Sequence, residues 1–389
     1  MMTPRERFNA VIHFRKPDVL PWCELIEDET LIAWFTEGLP AKDLAVYEST
    51  LREGRPLTNF AAMGLDPYSY FGCQNPFGGC YMPVDLGPLP RFKHRILRED
   101  DRSEDRITEI GSIRRRSKRA RYAVYSMPMY LEFPVKDRQS WDEYKNRLNP
   151  DNPCRYPKDW NRDDYVKVFE DYQAGATSLV VNGFYGFGAE LMGIPNFVTA
   201  FYRDPDLMRE MANHWELFTL EAIRDAVETL KDRIDYVFWW EDLAEKHGPN
   251  ISPKIYREFF LPHYTVVTDF LKRNKMDRVM MDSDGNTNAI LDLAIEAGIS
   301  GHWPLEVNSG MDAVYLRKRY GEKLFLIGNL DKRELAKGGE SMRREVDSKG
   351  PLLKDMGGYL PGVDHGVHVE FTVARFREYA DYITRLLPY

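Results

Sequence analysis

The sequence has little cysteine, no excess of positive charge and no long apolar run, and each shortage excludes something. Four cysteines in 389 residues cannot form the disulfide framework of a small secreted fold. The spacing Cys73-x6-Cys80 matches no zinc motif, so Cys23, Cys73, Cys80 and Cys154 are expected to be reduced and structural. No stretch suits a membrane span. The opening MMTPRERFNAVIHFRKPD carries charge where a secretory signal needs an apolar core. With 53 Lys+Arg against 61 Asp+Glu the net charge is −8, which argues against a general nucleic-acid binder. There is also no GxGxxG after the first strand, no P-loop, no GxSxG and no HExxH. The expectation is a soluble, cytoplasmic protein with no nucleic-acid or membrane partner. What is abundant is apolar and aromatic: 43% hydrophobic residues, with 8 Trp, 22 Tyr and 21 Phe. That is enough for a large core and an aromatic-lined pocket.

Short apolar segments alternate with longer helical ones along most of the chain. Thr3, Pro4 and Glu6 announce a helix over 3–14. LPWCEL (20–25) then reads as a buried strand, and SLVVNGF, YVFWWED, RVMMDSD, GHWPLEV, LFLIGNLD and GYLPGVD follow at intervals filled by helices. Strands that alternate with helices imply a parallel sheet with crossover connections. These are seven candidate strands, with an eighth expected within 55–130. The fold class is α/β, a (β/α)8 TIM barrel, and the domain reading is a single barrel over 1–389. Residues 26–130 are expected to form a loop- and hairpin-rich insertion near the barrel mouth. Within it, Leu31–Thr36 and Lys42–Glu53 look helical, 66–90 has loop composition, and 106–119 suggests a hairpin around Gly111. The run Arg114-Arg115-Arg116 reads as a solvated face, with a phosphate contact as the competing reading.

In a closed barrel all strand ends converge on one mouth, and here those ends are acidic. Asp282 and Asp284 lie on one side of their strand, because side chains alternate. Glu306 and Asp331 end the next two strands. So many carboxylates together require a cation or retained protons. Asp282, Asp284, Glu306 and Asp331 are therefore the ligands expected if a divalent metal such as zinc is bound. The competing reading is that these aspartates cap helices. Glu241 follows two tryptophans, which should raise its pKa and suit it to acid catalysis. His365, next to Asp364, is a candidate proton shuttle. Glu241, Asp282, Asp284 and His365 are thus the catalytic candidates. Tyr185, Phe187, Trp240, Trp303 and Asn329 are the substrate-binding candidates, and the glycine-rich 182–188 is expected to line the substrate.

RERFNAVIHFRKPDVLPWCE, NGFYGFGAEL, the WED…GPNISPKIYREFFLPHY stretch, MDSDGN, PLEVNSGMD and IGNLDKRELAKGG resemble, in order, motifs of the uroporphyrinogen decarboxylase superfamily. The resemblance implies the barrel. Two departures select a branch. The decarboxylase itself carries an arginine-rich MRQAGRY-type motif; the corresponding stretch here, CELIEDETLIAW, is acidic. The thiol-activating methyltransferases of the family bind zinc with His-x-Cys and a later Cys; here those places hold Asp282-x-Asp284 and a stretch near Asp331. What remains resembles the branch that moves methyl groups from O-methyl donors to a corrinoid (cobalamin) on a partner protein. The aromatic content favours a methoxylated aromatic donor. A decarboxylase or other lyase on a different carboxylate, using His365 and Arg333, is the runner-up. A glycoside hydrolase and a non-catalytic carrier-binding protein are further alternatives, and a homodimer is a further expectation.

Overall fold

Eight parallel wall positions close into a barrel. The computed structural model describes residues 1–40, 65–118 and 129–389. Seven positions form one sheet: Cys80–Met82, Thr177–Asn182, Tyr236–Trp240, Val279–Asp282, Gly301–Trp303, Phe325–Ile327 and Tyr359–Leu360. Every pairing in it is parallel. The stretch around Cys23 completes the ring. Its amide donates to Pro361 O at 2.9 Å, while Gln74 N donates to Trp22 O at 2.9 Å and Glu24 N to Gln74 O at 2.8 Å. That seam makes the (β/α)8 barrel. The strand expected somewhere in 55–130 is Cys80–Met82, inside a segment of loop composition that also holds the short helix Pro67–Phe71. Three residues are too few to leave a periodic signal.

The wall strands are apolar runs because a parallel sheet is buried on both faces. The helices between them bury one side each. Thr3 and Glu6 form the expected capping box on Pro4–Ile12. Residues 332–356 form two helices, Lys332–Lys337 and Gly339–Met356, because Gly338 turns the chain at φ +68. Among the described residues no helix is long and apolar enough to cross a membrane, and all four cysteines are free.

The first helix plugs the base of the barrel through one side chain. Arg5 is buried. Its Nε donates to Asp235 at 2.8 and 3.2 Å, and its Nη2 to Thr177 Oγ1 at 3.2 Å and Arg233 O at 2.6 Å. Its Nη1 donates to the carbonyls of Phe169 and Tyr172. Five partners on three segments satisfy a charge that would otherwise be costly to bury.

A four-stranded antiparallel sheet interrupts the early part of the chain: Arg95–Glu99, Ser103–Ile107, Ile113–Ser117 and Met129–Glu132. Its middle pair is the hairpin expected around Gly111. The arginine run lies on the third of these strands, with its charges spent inside the protein. Arg115 pairs with Asp105 at 2.6 Å, Arg116 with Glu104 at 3.2 Å, and Arg114 with Glu190 at 3.7 Å. The helix expected over Lys42–Glu53 lies outside the described residues.

At the closing seam, Glu24 is wholly buried and accepts bonds from Tyr379 Oη at 2.8 Å and Val363 N at 3.2 Å. Burial nevertheless pushes its carboxyl up to about 8. The folded value lies above the unfolded one, about 4.3, so the unfolded chain loses this proton first. Stability is therefore fully present below the unfolded value and falls as pH rises toward about 8. Glu24→Gln keeps an acceptor for Tyr379 and removes the charge. Thermal melts across this range should fall more steeply with pH in the wild type than in the variant; equal slopes would contradict the assignment.

Candidate active site

The strand ends bring an imidazole between two carboxylates. His365, after the eighth wall position, places Nδ1 at 3.3 Å from Glu306 Oε1 and Nε2 at 3.6 Å from Asp284 Oδ1. Glu306 Oε2 also accepts Gly285 N and Ser309 Oγ, each at 3.0 Å. The His365 bond and these donors hold the Glu306 carboxyl at about 2. Burial alone would lower the His365 pKa, but the bond from Glu306 and the charge of Asp284 outweigh it and the net shift is upward. Asp284 has no such set of donors, and burial raises it. Ligand atoms of Asp284, Glu306 and His365 all lie within 4.8 Å of one another. Of the expected metal ligands, Asp284 and Glu306 thus come together, with His365 as the third donor.

Asp331 does something else. It caps Lys332–Lys337 by accepting Arg333 N at 2.9 Å, and it grips the Arg333 guanidinium at 2.9 and 2.7 Å. The capping alternative holds for this residue, which corrects its placing among the metal ligands.

Beside the triad lies a second group of carboxylates. Glu241 N and Asp242 N both point at Asp282 O, at 2.8 and 3.4 Å, drawing two strand ends together. Asp242 has the left-handed φ of +52 and is exposed at the rim. Burial among rim atoms, then the charge of Asp284, pushes its carboxyl up to about 6. Asp282 is 6% exposed. It makes no side-chain hydrogen bond among the described residues, and burial followed by repulsion from Asp242, Asp284 and Glu241 raises its pKa well above the ordinary value.

Glu241 is wholly buried behind the rim. Trp239 Nε1 donates to Oε1 at 2.9 Å, and a carbon on Gly183 would stand 2.2 Å from that oxygen. The Tyr264 hydroxyl faces the carboxyl, while Oε2 has no close partner. Burial pushes Glu241 up to about 7, as two neighbouring tryptophans suggested.

Most of the expected substrate-binding residues are buried and packed within the fold. Residues 184–192 are a helix, so the glycines of this segment permit close packing: Gly186 lies against Trp240 and Gly188 against Phe197. Tyr185 is buried and its hydroxyl accepts Asn250 Nδ2 at 3.0 Å. Phe187 packs on Trp141 with ring centroids 6.4 Å apart. Asn329 is left-handed and buried; it binds Ala313 N, Leu305 O and Met311 O, each at 2.9 Å, and so holds the sixth loop. Trp303 supports His365 edge-on at 5.8 Å. Trp240 keeps a half-buried face. Missed by sequence reasoning was Lys332, whose Nζ lies 2.9 Å from His368 Nε2. A lysine in a helix's first turn carries no sequence signal for a site.

A family model described as Uroporphyrinogen decarboxylase (URO-D) matches residues 187–386, half of the chain. The chain belongs to the uroporphyrinogen decarboxylase (URO-D) family. The match begins within the helix after the third wall position and so takes in every rim carboxylate described above. A methyltransferase from Methanosarcina mazei is similar in structure at a TM-score of 0.60 and 14% identity, over 98% of this chain and 98% of that one. The barrel fold is therefore shared end to end. A B12-independent methionine synthase from Shewanella sp. W3-18-1 aligns over 94% of this chain and 96% of that one, at 10% identity and a TM-score of 0.35, too low to argue from. No curated protein gives a significant match.

Glu306 is the partner that most raises the His365 pKa, so Glu306→Gln should lower it. Nitrogen-detected NMR of labelled histidines should show one imidazole titrating above the usual histidine range in the wild type and falling in the variant. An unchanged midpoint would contradict the triad.

Proposed function

We propose that this URO-D family member is the donor-binding component of a corrinoid-dependent O-demethylase. It moves a methyl group from an O-methyl donor, a methoxylated aromatic compound, to the corrinoid of a partner protein. The observation that carries the reading is Asp282: a buried carboxyl at a strand end, free of hydrogen bonds among the described residues, set among other rim carboxylates. Such a group retains its proton and is poised to give it away.

Methyl transfer from an aryl ether needs that proton. The methyl–oxygen bond breaks as the methyl carbon bonds to the acceptor, and the electron pair stays on oxygen. An aryloxide is a poor leaving group, since its conjugate acid has a pKa of about 10. Asp282 donates its proton to that oxygen and recovers one from solvent. The half-buried face of Trp240 lies against the ring, and the hairpin Ala244–Pro249 shapes the rim above it. Gly285, at φ +78, lets that hairpin close down: a side-chain carbon there would stand 2.6 Å from the carbonyls of Ala244 and Glu245. The reduced corrinoid enters as the second substrate and supplies the nucleophile.

The hard oxygen and nitrogen donors of Asp284, Glu306 and His365 fit a divalent cation such as zinc in type and spacing. These three would hold it, and it would supply Lewis-acid polarisation of the leaving oxygen. The lyase alternative asks for a cation, His365 or Arg333, beside the departing carboxylate; Arg333 is bound to Asp331, and His365 lies between Asp284 and Glu306.

Asp282→Asn tests the proposal. With a reduced corrinoid protein and a panel of methoxybenzenes, the wild type should change the visible spectrum of the corrinoid with one donor class. The variant, folded by circular dichroism, should be slower by about 10²- to 10⁴-fold. Activity that survives the substitution would remove Asp282 from the acid role; a wild type inert toward every donor would sink the O-demethylase reading.

A further inference from the structure

Asn182 ends the third wall position with an amide that the fold does not use. Its backbone carbonyl accepts Trp215 Nε1 at 2.9 Å, but its side chain makes no hydrogen bond among the described residues. Asn250 and Asn329 differ: the first donates to Tyr185 and the second engages three backbone groups. The Asn182 amide is half-buried and keeps both a donor and an acceptor to offer.

Register fixes where it points. Side chains alternate along a strand. Val181, Trp239 and Met281 pack in the outer cluster with the helices, whereas Val180, Phe238 and Met280 pack in the inner one. Asn182, Trp240 and Asp282 therefore share the inner face. They pair in register across three adjacent strands, Asn182 with Trp240 and Trp240 with Asp282. At one strand spacing each, the Cα atoms of Asn182 and Asp282 stand roughly 10 Å apart, with Trp240 between them.

The inner face is open to solvent and aromatic. Cys80 and Met82 pack on the outer cluster, which turns Tyr81 inward beside Ser178. Tyr81 is 56% exposed. Phe238 lies one inward position deeper than Trp240, and half-buried Phe77 packs on it at 4.7 Å and on Trp303 at 5.4 Å between ring centroids. A ring that enters here meets aromatic faces, an acid on one side of Trp240 and an unengaged neutral amide on the other.

We infer that Asn182 is a specificity-determining residue of the donor site and that the donor is a methoxyphenol. Its ring lies on Trp240, its free hydroxyl exchanges hydrogen bonds with the Asn182 amide, and its ether oxygen faces Asp282. The inference rests on the O-demethylase reading for the ether end only; recognition of the hydroxyl stands on the free amide and the strand register. Asn182 binds and orients, and takes no part in proton transfer.

Without a corrinoid the donors themselves are unreactive probes. Calorimetry would compare methoxybenzene, the three methoxyphenols and the three dimethoxybenzenes on wild type, Asn182→Leu, Asn182→Ala and Asn182→Gln. Thermal melts would confirm that each variant folds; the bond to Trp215 uses the backbone and survives each change. One methoxyphenol should bind the wild type roughly five- to tenfold more tightly than methoxybenzene and the matching dimethoxybenzene. The preference should disappear in Asn182→Leu and Asn182→Ala and return in part in Asn182→Gln. Equal binding of all rings, a preference that outlives Asn182→Leu and Asn182→Ala, or no binding of any ring would overturn the inference. A dimethoxybenzene that binds as tightly as the methoxyphenol would overturn the hydroxyl assignment. With the corrinoid protein added, methoxybenzene demethylated as efficiently as every methoxyphenol would overturn the role of Asn182 and leave the O-demethylase reading in place. A panel inert toward the corrinoid, with the Asn182-dependent preference intact, would count against that reading and leave hydroxyl recognition standing.

Discussion

A parallel barrel ends all its strands on one rim, and in this chain three consecutive wall positions end in carboxylates. That convergence is the constraint on which the site depends. Glu241, Asp242 and Asp282 meet because two amides share one carbonyl. Asp284 and Glu306 meet across His365. Charges so close, away from bulk water, cannot all ionise. The structure answers in two ways. Near the sixth and eighth positions a histidine, one amide and one hydroxyl stabilise the charge and hold Glu306 at about 2. Asp282, at the end of the fifth, has no such donors, and burial with the neighbouring carboxylates raises its pKa well above the ordinary value. Two carboxylates of one rim are thus shifted in opposite directions, according to which donors each finds.

The rest of the barrel serves to hold that rim still. Arg5 locks the base through five partners. The Cys23 seam closes the wall with Glu24 buried behind it. Glycines let loops press on the site from above: Gly183 makes room for Glu241, and Gly285 admits the hairpin. Asn329, turned left-handed, stitches the sixth loop with three hydrogen bonds.

What the sequence showed follows from length scales. The wall strands were legible because strands buried on both faces are unbroken apolar runs. The pair Asp282 and Asp284 was legible because side-chain alternation is local. The Cys80–Met82 strand was not, since three residues carry no period. The aspartates looked alike in sequence, yet Asp331 turned to cap its own helix while Asp282 stayed unbonded; only the neighbours across the fold decide between those fates. The glycine-rich run after the third strand looked like a ligand loop and is a helix, its glycines pressed against Trp240 and Phe197. The contact between Lys332 and His368 gave no local hint, because it joins residues far apart in the chain.

The central claim is that Asp282 keeps its proton at neutral pH. Infrared spectroscopy reads this directly, because a protonated carboxyl has a carbonyl band separate from that of a carboxylate. With aspartate carboxyls labelled with carbon-13, the wild type should show a protonated-carboxyl component at neutral pH that shifts with the label and is missing in Asp282→Asn. A protonated-carboxyl region identical in the two proteins, with the variant lacking only carboxylate absorption, would mean that Asp282 is ionised, and its proposed role as the acid would fall.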